Sequence, residues 1–427
     1  MDALYEEHDA CCATLTASDG MPKDWADHLA DLWVDVVAGM YRDKAPPKEG
    51  VATEIVKSQA QLMTAPIGEI FGDVDWNSPD YVLREYIKRN LWDFSVAKNY
   101  QEIKKLNNLL LRENGSLRPW HEFKREAQKV VGMSVRHLET EYRTIVAGGQ
   151  MTRKWLEIQR DKHLFPYVRF DVVKDNRVSD ICKPLDGVIV TVDDPMLAYY
   201  FPPNHFNCRT DVSRLRRATP TEKYRLPKIP EAFKNNPGVS GKIFTEKHPY
   251  FKGMQTKLLS DLDYVETDGI LISTKAEKWS KSPNERPRQI AEHQRRIEVA
   301  KIMKEYLNAK QVEVLPEIKP DHWSYDFHFE KSPYPGKVTD LKIDGVYWEV
   351  ESYERKFRIG KISQMISHGQ EQSPYVIIKL NHKVHKLRVV EQITNLLERT
   401  DFQFLAKEVI VISNEGKVMF HLKKDRP

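Results

Sequence analysis

Residues 202–211, Pro-Pro-Asn-His-Phe-Asn-Cys-Arg-Thr-Asp, constrain this chain more than any other stretch. The paired prolines remove two backbone donors and force an extended entry. His205 and Cys208 follow with two residues between them, Arg209 comes next, and Cys182-Lys-Pro-Leu-Asp-Gly187 lies upstream. One imidazole and two thiolates are borderline-to-soft donors of the kind zinc takes. Three outcomes are open for Cys182, His205 and Cys208. They form a hydrogen-bonded knot beneath a turn, or a structural zinc site with Asp180 as an added oxygen donor, or a Cys182–Cys208 disulfide in an oxidising setting. Catalysis by Cys208 is disfavoured, because no neighbouring residue offers it a base.

The pairing of Cys182-x-Pro-Leu-Asp-Gly with Pro-Pro-x-His-Phe-Asn-Cys-Arg resembles the phage head-morphogenesis family typified by the minor head protein of phage Mu. Asp93 to Gln101, Ser116 to Lys124 and Phe244 to Phe251 resemble one branch of the same family. Members often carry Cys-x-x-Cys in the first segment and His-x-x-Cys-x-Cys in the second. Ser179 and Thr210 stand here where two of those cysteines would be. The resemblance implies a virion protein of the phage head, present in the host cytoplasm during assembly. Its implied partners are the portal and the major capsid protein.

A chain of 427 residues suggests two to four domains. With 41% hydrophobic and 30% charged residues it reads as globular and ordered. Four cysteines, including the adjacent Cys11 and Cys12, do not make a disulfide framework. No apolar run reaches the roughly 18 residues of a membrane span, and the acidic start lacks signal-peptide features, so no membrane partner is expected. Charge is uneven: residues 355–427 hold 14 Lys and Arg against 7 Asp and Glu. That excess points to contact with phosphate.

The expected fold is α+β and multidomain, with a helical region over 1–78 and a Mu-like minor head domain over 79–215. A linker over 216–252 and a nuclease-like α+β domain over 253–427 follow. Trp25, Leu29, Leu32, Trp33 and Val36 form a stripe that predicts a helix over 24–42. Further helices are expected at 52–63, 79–89, 91–113, 119–131, 133–146 and 149–162. Alternation from Tyr167 to Val173 and the run Val188 to Val192 predict strands. Trp120, Phe123, Trp155 and Tyr199 are expected in the core.

In the last domain, Glu285 to Asn308 reads as an amphipathic helix and Gln311 to Leu315 as a strand. Asp344-Gly345 is a two-residue hairpin turn. Alternation then sets Tyr347, Glu349 and Glu351 on one face of the next strand and Val346, Trp348 and Val350 on the other. Two carboxylates so close repel unless a metal, a proton or a basic group lies between them.

The pattern Asp-x-x-Ile-Asp-Gly-x-x-x-Glu-Val-x-Ser, a basic helix, then Gln-Ser-x-x-Val-Ile-Ile resembles the toxin nucleases of contact-dependent inhibition systems. The relation implied is to the barnase, EndoU, colicin and RelE-like ribonucleases. Those cleave RNA without metal, so this endoribonuclease reading requires no cofactor. A base, an acid and cations around the phosphorane must be supplied by side chains. The resemblance suggests Glu349 as base, His368 as acid with His382 as a competitor, and Arg358 and Lys361 as phosphate clamps. Gln372 and Ser373 would orient the RNA, and an immunity protein would be a partner. Arg355 and Lys356 add basic charge. The usual Glu-Val-Lys-Ser reads Glu-Val-Glu-Ser here, with Glu351 in place of a base.

Two alternatives stand beside this. In a restriction-type nuclease, magnesium would sit on Asp340 or Asp344 with Glu349 and Glu351. In a purely structural head protein, the basic last domain would touch packaged DNA through its phosphates.

Overall fold

Leu29, Trp33, Val37 and Met40 recur at helical spacing, and burying them draws residues Asp24–Asp43 into the first helix, α1. The computed structural model describes residues 21–22, 24–75, 78–254, 256–280, 287–354 and 358–424. Cys11, Cys12, Arg355 and Lys356 lie outside the described residues. The chain divides into two units, Met1–Gln255 and Thr256–Pro427. Its architecture is α+β, with helices dominating the first unit and strands concentrated in the second.

In the first unit α2 (Thr53–Phe71), α3 (Pro79–Leu110) and α4 (Trp120–Asp161) pack with α1 around one apolar core. Ser78 caps α3 by accepting from the Tyr81 amide at 3.1 Å, and Pro79 takes the first helical position. The breaks expected near residues 90, 132 and 147 are absent, so five expected helices over 79–162 are two long ones. Asn90 stays helical because its side chain has outside partners: it donates to Phe244 O at 2.8 Å and accepts from Ile243 N at 2.9 Å. Gly149 marks close approach rather than an end, since a Cβ there would stand 2.8 Å from Ile67 Cδ1. The stretch expected to be a linker is pinned into this unit, with Phe233, Phe244 and Tyr250 in its core. Of the four aromatics expected inside, Phe123 is buried, whereas Trp120 and Tyr199 are exposed.

A small antiparallel sheet, ordered β2-β1-β3, completes the unit. Its strands are β1 (Tyr167–Asp171), β2 (Ile189–Thr191) and β3 (Asp211–Leu215). Val168, Phe170, Val190 and Val212 fill its core. Strand β3 follows the His205–Cys208 loop directly, and no apolar alternation announced it.

The second unit is built on an eight-stranded sheet in which each strand neighbours the next in sequence. The strands are β4 (Tyr264–Thr267), β5 (Ile270–Ser273), β6 (Val312–Val314), β7 (Leu341–Ile343), β8 (Val346–Tyr353), β9 (Tyr375–Leu380), β10 (Glu408–Ile412) and β11 (Val418–Lys423). Helix α5 (Pro287–Tyr306) links the parallel pair β5 and β6. Helices α6 (Lys361–Gly369) and α7 (Lys386–Glu398) make the parallel crossovers from β8 to β9 and from β9 to β10. Val299, Ala300 and Met303 of α5 pack with Trp348 and Ile377, while Ile362 and Ile366 of α6 pack with Val376 and Ile378. The sheet is thus covered on both faces, which explains the unbroken apolar run Val376–Ile377–Ile378. At the hairpin, Asp344 and Gly345 both have positive φ, 47° and 82°, the backbone an Asp-Gly pair tolerates best.

Candidate functional site

Strand β8 changes neighbours half-way along. Val346, Tyr347 and Trp348 pair with β7, the last against Leu341. From Glu349 to Tyr353 the pairing is with β9. Beyond Trp348 the β7 side of the strand has lost its partner, and a fork opens there. The Asp340 side chain fills the gap: its Oδ2 accepts from the Val350 amide at 2.9 Å, while its own amide donates to Trp348 O at 3.2 Å. Asp340 therefore continues a ladder that the backbone has abandoned.

Helix α5 closes over the fork with its first turns. Arg296 is buried and places Nε 2.8 Å from Asp340 Oδ1, with Glu317 and Glu292 also on its guanidinium. Arg295 donates to Ser352 Oγ at 2.6 Å. Burial favours the neutral form of Asp340 and raises its pKa, against the pull of Arg296. Glu349 is pushed well above the ordinary carboxyl range, by burial first and then by the charges of Asp340 and Glu351. Its Oε2 is buried with no hydrogen-bond partner among the described residues. Glu351 is raised too, chiefly by burial, and pairs with His368 Nδ1 from the end of α6. That pair raises His368 in turn.

Among residues singled out from the sequence, Glu349, Glu351 and His368 are brought together. Asp340 joins them, whereas Asp344 is a turn residue whose Oδ1 accepts from the Lys310 and Gln311 amides at 3.0 and 2.9 Å. Ser373 is buried and structural, donating to Tyr347 O at 2.8 Å and accepting from Tyr375 N at 3.0 Å. Gln372 is half-buried just after α6. Lys361 opens α6, lies 4.9 Å from the centre of the Tyr353 ring and donates to Gln364 Oε1 at 2.6 Å. Seven residues of helix, about 10 Å, separate it from His368. Arg358 is exposed before the same end. The expected clamps and the expected acid thus occupy opposite ends of one helix. Arg296 and Glu292 were missed; their only sequence signal is a four-residue spacing on α5, and Glu317 carried none.

The other cluster lies in the first unit. Cys182, His205 and Cys208 are buried, and their donor atoms lie within 4.8 Å of one another, the one such set of three among the described residues. The Sγ atoms are 3.6 Å apart, and the two cysteines are not joined in a disulfide. His205 Nδ1 lies 2.6 Å from Phe206 O and its Nε2 3.2 Å from Cys182 Sγ. The Cys208 thiol is held well below its ordinary value, mainly by its hydrogen bond with Cys182; burial opposes this and His205 adds to it. Arg209 turns away to a two-pronged pair with Asp175, at 2.7 and 2.8 Å.

No helix among the described residues is long and apolar enough to cross a membrane. No curated protein and no solved structure matches the chain. Residues 113–213 match the family described as Phage Mu protein F like protein, a segment that holds α4, the small sheet and the cysteine–histidine cluster. Residues 337–418 match the contact-dependent growth inhibition CdiA C-terminal domain, a segment that runs from the fork through β10. The chain thus holds, in order, a segment similar to the phage Mu protein F family and a segment similar to the CdiA C-terminal domain of contact-dependent growth inhibition.

Proposed function

We propose that the second unit is a nucleic-acid-cleaving effector, carried by a protein of the phage head, and that its reaction centre is the fork at Glu349. The observation that carries this reading is the orphaned Glu349 Oε2, buried among like charges. Glu292, Glu317, Asp340, Glu349 and Glu351 crowd around two cationic side chains, Arg296 and His368. Such a surplus of carboxylates calls for protons or for a further cation.

Carboxylate oxygens are the donors that a hard divalent ion such as magnesium takes, although those of Asp340, Glu349 and Glu351 do not form a set of three within 4.8 Å of one another, so such an ion would have to draw them together. Among the described residues Glu349 offers an unpartnered oxygen, Glu351 lies on the same strand face, and each Asp340 oxygen has a lone pair beyond the one used toward Val350 or Arg296. When bound, such an ion polarises a phosphate and makes its water more acidic. The chain's own residues do the rest. Arg296 and the Val350 amide hold Asp340 in place, and Glu351 steers the His368 imidazole and favours its charged form. The basic excess of residues 355–427 attracts the phosphate backbone.

A second reading is supported by the Glu351–His368 pair. In metal-free RNA cleavage Glu349 takes the 2′-hydroxyl proton and His368 protonates the leaving oxygen. The distance of Lys361 and Arg358 from His368 weighs against it, because the phosphorane would lack its expected clamps.

The test is incubation of the purified chain with RNA and with DNA, with EDTA and after magnesium is restored. Cleavage lost in EDTA and regained with magnesium supports the metal reading, and cleavage persisting in EDTA supports the second. Nucleic acid left intact throughout removes the enzyme and leaves a structural head protein. For the first unit we propose the portal and major capsid protein as partners, and for the second an immunity protein. Co-purification with each checks these.

A further inference from the structure

We propose that Cys182, His205 and Cys208 form a three-ligand zinc site in the first unit, with its fourth position taken by a water held by Thr210. This inference is independent of the nuclease reading.

Four observations carry it. First, the spacing of the donors fits the ion. Zinc–sulfur bonds of about 2.3 Å and zinc–nitrogen bonds of about 2.0–2.1 Å in a tetrahedron put two sulfurs about 3.8 Å apart, and a sulfur and a nitrogen about 3.5 Å apart. The observed separations are 3.6 Å between the two Sγ atoms and 3.2 Å from His205 Nε2 to Cys182 Sγ. The thiols therefore already stand near the edges of a coordination polyhedron.

Second, the imidazole tautomer is set for ligation. A carbonyl oxygen can only accept, so the 2.6 Å contact with Phe206 O assigns the proton to Nδ1. The lone pair is left on Nε2, the atom facing Cys182. Metal-bound histidines are commonly held this way by a backbone carbonyl.

Third, the donors are held by elements that do not depend on the ion. The Cys182 amide donates to Ser179 O at 3.0 Å, and the Asn207 amide donates to Thr144 Oγ1 of α4 at 3.0 Å. Asn204 Nδ2 donates to Tyr200 O at 3.1 Å. Strands β1 and β3 pair across five residues beside the loops.

Fourth, a small cavity that touches two of the three donor residues, Cys182 and His205, has room for one water beside Thr210. Thr210 is 5% exposed and its Oγ1 lacks a hydrogen-bond partner among the described residues. It lines a cavity of about 10 Å³ together with Cys182 and His205. That is room for one water, and a buried hydroxyl without a partner is costly. A zinc-bound water donating to Thr210 Oγ1 satisfies both. The role that follows is a staple between the Val178–Cys182 turn and the Asn204–Thr210 loop, since metal binding to such a site contributes to folding.

The experiment uses the full chain, purified under reducing conditions and titrated with Co²⁺ as a spectroscopic probe and then with Zn²⁺. The expected result is one equivalent of Co²⁺ giving tetrahedral d–d bands with thiolate charge transfer, displaced by one Zn²⁺. Cys208→Ser weakens binding at least tenfold. Thr210→Cys, which replaces the water with a third thiolate, tightens it at least tenfold and strengthens the charge-transfer band. The proposal is overturned if the reduced wild-type chain gives no tetrahedral Co²⁺ spectrum, or if binding survives Cys208→Ser unchanged in a folded protein. It is likewise overturned if thiol counting on freshly isolated protein shows Cys182 and Cys208 joined in a disulfide.

Discussion

Lys98 Nζ lies 2.6 Å from Glu141 Oε2, and both side chains are fully buried. The ammonium also donates to Ser134 O at 3.1 Å, and Glu141 Oε1 accepts from Tyr250 OH at 3.0 Å. One ion pair thus ties α3 to α4 and to the segment around Tyr250. Removing one partner strands a buried charge, which costs about 3–5 kcal/mol, whereas removing both is far milder. Lys98→Met is expected to destabilise the first unit by that amount, and Lys98→Met with Glu141→Leu to recover most of it. Urea unfolding of the single and double variants measures both.

Glu349→Gln is expected to abolish cleavage and to stabilise the second unit. The folded carboxyl holds its proton more tightly than the unfolded one, because of burial and its acidic neighbours. Stability is therefore full below the ordinary carboxyl range and falls as pH rises toward the raised folded value. The amide escapes that loss. At pH 8 the variant should be the more stable of the two, and near pH 4 the difference should vanish. Thermal melts at the two pH values decide; equal shifts at both would refute the electrostatic cause.

His328 sets an acid limit on the same unit. It is buried, its Nε2 donates to Asp261 O at 2.9 Å, and its Nδ1 accepts from Tyr264 OH at 2.8 Å. Burial pushes its pKa down to about 3. The unfolded imidazole takes its proton near pH 6.5, so the stabilising contribution is intact above that value and is lost as pH falls toward 3. At pH 5 the loss is about 2 kcal/mol. In His328→Gln the stability of the second unit between pH 7 and 5 should fall less steeply by that amount.

Gly238 sits against the indole of Trp155. A Cβ there would stand 2.4 Å from Cδ1 of that ring and 2.5 Å from the Trp155 Cβ that carries it. The contacts are with the stiff base of the side chain, so Gly238→Ala is expected to cost about 1–3 kcal/mol. A denaturant midpoint lowered with an unchanged slope is the expected observation.

Much of this was legible along the chain. The stripe of α1, the strands at Tyr167 and Ile189, the Asp-Gly hairpin and the facing of Glu349 and Glu351 all follow from local periodicity and turn chemistry. The continuity of α3 and α4 was not, because the residues that read as interruptions are stabilised by partners far off in sequence. Asn90 binds the backbone at Ile243 and Phe244, and Gly148 and Gly149 are contact points for Ile243 and Ile67. The stretch 216–252 reads as a linker because it is basic and proline-containing, yet its aromatics reach the helical core.

The sequence by itself determined which chemistries were on offer: two thiols and an imidazole in one place, a strand of alternating carboxylates in another. Side-chain type and short-range spacing are covalent facts, so they need no fold to be read. Only the tertiary structure decided which groups meet. Arg296 reaches Asp340 across 44 positions of chain, and Lys361 is kept from His368 by the rise of the helix that they share. The reason is that strand pairing and helix packing set distances between side chains that neither composition nor spacing encodes. The fork opens where β8 trades one neighbour for the other, a change of partner that no local pattern announces.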